Sequence, residues 1–126
     1  MTNILFKELS YTVMSMAFRI HSKLGSGLLE SAYEKAFCVE LKYSGVPFMC
    51  QHNFPLYYRE TLIGNYVADL VIDNSIILEL KSVKELNKVM EAQLINYLKI
   101  SGIPVGYLIN FNSLRLCWKR FVSKRE

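Results

Sequence analysis

Cysteine is scarce in this chain: Cys38, Cys50 and Cys117 are three in number and far apart. That argues against a disulfide framework or a zinc knuckle and points to a reducing, cytoplasmic setting. No apolar run reaches the roughly 18 residues of a spanning helix, so no membrane association is expected. The start, MTNILFKELSYTVMSMAF, has Glu8 in place of a basic leader region and no clear cleavage site, which argues against a signal peptide. Repeats, low-complexity tracts and long linkers are absent, as is an aromatic-basic stripe of the kind that stacks unpaired bases. What is present is 126 residues, 52% of them apolar, with a net charge of +4. This suffices for one compact domain over residues 1–126 but not for two. Much of the charge lies in LCWKRFVSKRE, where Lys119, Arg120, Lys124 and Arg125 cluster. Either a phosphate backbone or simple solvation accounts for it.

Leu9, Val13, Met16, Ala17, Ile20 and Leu24 recur at helical spacing, predicting a helix over 8–24. LGSG breaks it, and Ser26 is placed to cap a second helix carrying Leu28, Leu29, Ala32, Tyr33, Ala36, Phe37 and Leu41. FMCQHNFPLYYR then reads as a strand with Phe48, Cys50, His52 and Phe54 on one face. Glu60-Thr61 turns it into LIGNYVADLVID, and Asp73-Asn74-Ser75 turns that into IILELKSV. Residues 88–101 are helical, closed by Gly102 and Pro104. VGYLINF is a buried strand, and LRLCWKRF alternates as a half-exposed edge strand does. The order α-α-β-β-β-α-β-β is an α+β layout.

One stretch is out of character. VADLVIDNSIILELKS is the most apolar part of the chain, yet it contains Asp69, Glu79 and Lys81, and unpaired charge is costly in such surroundings. A hairpin that pairs Ile72 with Ile76 leaves a three-residue loop, with Asn74 suited to its left-handed position, and sets Asp69 opposite Glu79. Their Cβ atoms would then lie roughly 5 Å apart. A two-residue loop would instead send the carboxylates to opposite faces. Period two places Lys81 beside Glu79. Two facing carboxylates and the Leu80 carbonyl suit Mg²⁺ or Mn²⁺, with Lys81 near the reacting water. The competing reading is a half-exposed strand in which Glu79 and Lys81 are solvated and Asp69 pairs with Lys81.

Asp69 followed after a short turn by Glu79-Leu80-Lys81 resembles the PD-(D/E)XK nuclease superfamily. The upstream GLLESAY holds Gly27-x-x-Glu30-x-x-Tyr33, the pattern of the GxxExxY protein family, and IHSKLGSGLLE, AQLINYL and GYLINF are also similar to that family. The resemblance runs from about His21 to Val122 and implies a restriction-endonuclease-like fold, an α/β/α sandwich with a central mixed sheet. It further implies metal ligation by Asp69, Glu79 and the Leu80 carbonyl, completed by Glu30, with Lys81 as the active-site lysine. Gln93 and Tyr97 match a Q-x-x-x-Y pattern of the RecB-like branch, where that helix abuts the active site. Met90 departs from the pattern, standing where histidine is frequent.

Taken as residues, Glu30 also suits a helix N-terminus, and Tyr33 suits a core position with its hydroxyl at the rim. Gln93 and Tyr97 share a helix face. His21 reads as structural, His52 as a satisfied core histidine, and Asn110 as a strand-end backbone partner. The expectation is a Mg²⁺- or Mn²⁺-dependent nuclease acting on nucleic acid, with DNA favoured. Its rivals are a catalytically silent nucleic-acid-binding or assembly module of the same fold, and a protein-interaction domain. A domain this short has little room for sequence-reading elements, so a homodimer or a protein partner is expected to supply them.

Overall fold

The helical spacing of the first segment becomes α1 (Lys7–Leu24), which buries Val13, Met16, Ala17 and Ile20. The structure, a computed structural model, describes residues 6–123. Ser26 does not cap the next helix: α2 (Glu30–Ser44) begins after Leu29, which makes no side-chain cap. The reason is Gly27, whose φ of 97° no right-handed helix accommodates,. Leu28 and Leu29 therefore lie exposed in the loop instead of on the helix.

The strands β1 (Phe48–Tyr58), β2 (Thr61–Ile72) and β3 (Ile76–Lys81) form a meander. Then α3 (Lys88–Ser101) crosses over to β4 (Val105–Asn110) and β5 (Cys117–Val122). The sheet order is β1-β2-β3-β4-β5, with β3 and β4 parallel and the other neighbours antiparallel. The first hairpin turns at Arg59-Glu60, one residue earlier than expected. Both residues are left-handed (φ 47° and 68°), the requirement of a tight turn matched to strand twist. The second turns at Asp73-Asn74, again both left-handed, and pairs Ile72 with Ile76 as expected.

Two apolar clusters sandwich this mixed sheet. One joins α1 and α2 to Leu70, Ile72, Leu78, Leu80 and Ile109. The other joins α3, through Leu94 and Leu98, to Tyr66, Ala68, Ile77 and Leu108. The architecture is the expected α+β sandwich. Among the described residues no helix is long and apolar enough to cross a membrane. β5 is an edge strand as expected, but it begins only at Cys117 and its burial does not alternate: Leu114 is exposed in the preceding loop and Trp118 is exposed on the strand. Of the basic cluster, Lys124 and Arg125 lie outside the described residues.

Simple alternation fails in the first two strands. Phe48 packs with the α1/α2 cluster and Phe54 with the α3 cluster, so the four residues from Phe48 to Phe54 do not share a face. The same switch occurs in β2, where Leu70 faces α1/α2 and Ala68 faces α3. Register is kept across it, Cys50 opposite Leu70 and His52 opposite Ala68. Gln51, left-handed at φ 49°, and Asp69 therefore mark one shared crossover point. His52 is half-buried, edge-on to Phe54 at 4.8 Å, and not a core histidine.

Candidate metal centre

The backbone ladder between β2 and β3 runs from Ile72–Ile76 to Leu70–Leu78 and stops there. One step further, side chains take over the hydrogen bonding. The Leu80 N–H donates to Asp69 Oδ2 at 2.8 Å, and the Asp69 N–H donates to Glu79 Oε2 at 3.2 Å. Each carboxylate thus binds the other's strand, and the two lie side by side where the ladder opens. Lys81 alternates with Glu79 onto the α3 face, and its carbonyl accepts from the Phe111 N–H at 2.9 Å.

Burial is the main force on both acids. It raises the Asp69 carboxyl above the ordinary range, opposed by the Leu80 N–H and the Lys81 ammonium. Glu79 is buried more deeply; burial and then the Asp69 charge push it to about 7. The Tyr66 hydroxyl donates to Glu79 Oε2 at 2.6 Å, and the Tyr66 ring stacks on Tyr97 of α3 with centroids 3.5 Å apart. Burial and the neighbouring Glu79 hold the Tyr66 phenol far above its usual range.

These donors fit a hard divalent cation. Carboxylate and carbonyl oxygens are the ligands Mg²⁺ and Mn²⁺ take, and adjacent desolvated carboxylates are its electrostatic complement. Asp69 Oδ1 and Glu79 Oε1 remain outside the strand bonds just described. Among the described residues, however, no three carboxylate, imidazole or thiolate groups gather tightly enough to enclose an ion. What the structure assembles is the two carboxylates, with the Leu80 N–H held on Asp69 Oδ2.

The structure therefore brings together Asp69, Glu79, Leu80 and Lys81, with Tyr97 joined through Tyr66. Glu30 stands exposed at the first position of α2, close enough for its charge to act on Asp69 but apart from the pair. Gln93 is exposed and makes no hydrogen bond to these residues. Tyr33 explains its own motif: its hydroxyl donates to the Gly25 carbonyl at 2.7 Å and accepts from the Leu28 N–H at 3.2 Å. Its buried ring stacks on Phe111 at 4.4 Å. Gly27 bends the loop and Tyr33 pins it, and α2 then starts at Glu30. His21 Nε2 lies 2.8 Å from the Ser113 carbonyl, as a structural histidine does. Buried Asn110 ties the chain just past Lys81, bonding both the N–H (3.1 Å) and the carbonyl (3.0 Å) of Val83.

Three residues around the pair are not expected from the sequence, and two of them escape a reading by pattern. Tyr66 does so because alternation from Asp69 sends it to the far face, and only the crossover brings it back. Gln51 does so because its partner in β2 depends on long-range register. Glu34 carries a usable signal, lying one helical turn beyond Glu30. Burial raises its carboxyl, with the Gln51 amide opposing. Two cavities lie in the loops beyond β3, and neither is lined by Asp69 or Glu79. One of about 440 Å³ is lined by Lys84, Asn110, Trp118 and Lys119, and one of about 470 Å³ by Gly27, Glu30, Ser82 and Asn112.

Comparison with known proteins bears on this geometry. A family model described as the PD-(D/E)XK nuclease superfamily matches residues 7–121. No curated protein matches the chain. The crystal structure of SSO0001 superposes with a TM-score of 0.58 at 18% identity, over 95% of this chain and 60% of that one. At that identity the likeness is one of fold, and the chain spans only 60% of the length of that structure.

Proposed function

The chain belongs to the PD-(D/E)XK nuclease superfamily, and from that premise we propose that it is a Mg²⁺- or Mn²⁺-dependent nuclease, with DNA the favoured substrate. The observation that carries this reading is the pairing of Asp69 with Glu79 at the end of the β2–β3 ladder, with Lys81 on the Glu79 face. We further assign the chain to the GxxExxY family, on Gly27, Glu30 and Tyr33.

In this reading Asp69, Glu79 and the Leu80 carbonyl hold the ion, and Glu30 completes the set directly or through water. A bound divalent cation supplies Lewis acidity and neutralises charge at the phosphodiester. Lys81 positions the attacking water and stabilises the negative charge that builds on the phosphoryl oxygens. Tyr66 restrains Glu79 Oε2 and leaves Oε1 for the ion, while Tyr97 backs Tyr66 from α3. Gln93, one turn earlier on α3, is assigned to substrate or water.

Asp69→Ala and Lys81→Ala are each expected to lower cleavage of a labelled DNA on the order of 10²-fold or more, with unchanged circular dichroism. Undiminished cleavage by a thoroughly chelated preparation refutes the reading. A second reading, a silent binding or assembly module, draws on the separation of Glu30 and Gln93 from the carboxylate pair. Electrophoretic shift without turnover in Mg²⁺ or Mn²⁺ would favour it.

A further inference from the structure

Gln51 is exposed, belongs to neither apolar cluster, and yet adopts φ 49° in the middle of an eleven-residue strand. Glutamine rarely takes the left-handed region, which favours Gly, Asn and Asp. Packing offers no return for this conformation. What it delivers is the side chain: Nε2 donates to Glu34 Oε1 at 2.6 Å and reaches Asp69 Oδ1 at 3.4 Å. One amide therefore spans carboxylates from α2 and β2, at the point where both strands change face. A lysine or arginine there could bridge the same oxygens, but its charge would compete with a cation. An amide supplies the donors and leaves the negative charge intact.

We propose that Gln51 is a positioning residue of the metal centre. Its amide fixes Asp69 Oδ1 and draws Glu34 against it, so that the carboxylates are set before an ion arrives. Outer contacts of this kind orient ligands and govern affinity. The inference rests on the reading of Asp69 as a cation ligand.

The test combines urea denaturation of the metal-free protein with calorimetric Mn²⁺ titration of the full chain. Gln51→Gly deletes the amide and eases the backbone; Gln51→Asn keeps a residue tolerant of the left-handed region but shortens its reach. Gln51→Gly is expected to unfold at the same or a higher urea concentration than wild type. Both variants should bind Mn²⁺ about tenfold or more weakly. Glu34→Ala should also weaken binding, and adding it to Gln51→Gly should cost little more, since both break one clamp. Affinities within about threefold of wild type for both Gln51 variants, or losses that simply add, overturn the proposal and leave the nuclease reading standing. A wild type that takes up no Mn²⁺ removes that reading, and the role of Gln51 with it.

Discussion

Glu79 is 9% exposed beneath Tyr66, and burial with Asp69 at its side raises its carboxyl from 4.5 to about 7. The folded state thus binds this proton more tightly than the unfolded chain does. The resulting stability is fully present below pH 4.5 and is lost as pH rises through about 7,. Above that, holding the ionised group costs about 3 kcal/mol, at about 1.4 kcal/mol for each tenfold difference in proton affinity between folded and unfolded chain. Glu79→Gln keeps an acceptor for the Tyr66 hydroxyl and removes the charge. In metal-free buffer at about pH 8 it is expected to exceed wild type by about 2–3 kcal/mol in urea denaturation, and to match it near pH 5. Added Mn²⁺ should narrow the gap at the higher pH by stabilising only wild type. A residue that weakens the empty protein and is relieved by a cation is what a ligand position requires.

At the scale of the elements, α3 packs tightly on β4 at Gly106. A Cβ there would meet Leu94 Cδ1 at 3.0 Å and Leu98 Cδ2 at 3.1 Å. Gly106→Ala is therefore expected to cost about 1–3 kcal/mol by overpacking and to push α3 outward. Tyr97 would move with it and loosen Tyr66 from Glu79, so weaker Mn²⁺ binding should accompany the lower melting temperature. How far such elements are legible in the sequence depends on whether local chemistry sets them. The β2–β3 hairpin is legible because Asp73 and Asn74 tolerate left-handed backbone and apolar residues stand on either side. From sequence alone that register, with Asp69 beside Glu79, is allowed but not forced, since a two-residue loop would part them; the structure takes the Ile72–Ile76 pairing. Ser26 misleads, because a good capping residue followed by Gly27 in a positive-φ turn cannot begin a helix. The crossover at Gln51 and Asp69 has no local signature, so every face assignment that passes through it by alternation is lost, Tyr66 included. Gln93 and Tyr97 share a stripe on α3, yet only Tyr97 reaches the ring stack, a distinction of tertiary packing.

For the molecule as a whole, the net charge of +4 is modest, while Glu30, Glu34, Asp69 and Glu79 concentrate negative charge at one spot. Under the proposed reading, binding of a nucleic acid would therefore draw on basic side chains around that spot and on a bound cation. The logarithm of affinity for a DNA oligonucleotide, measured with Lys81→Ala, is expected to fall with the logarithm of salt at a slope steeper than about −2. A flat response favours the protein-interaction reading. The ring stacks bear on folding as well. Tyr33 on Phe111 supports the centre from one side of the sheet, and Tyr66 on Tyr97 from the other. Peeling back either helical layer would dismantle it. Under the proposed reading, separating either helical layer from the sheet is therefore expected to cost cleavage as well as stability.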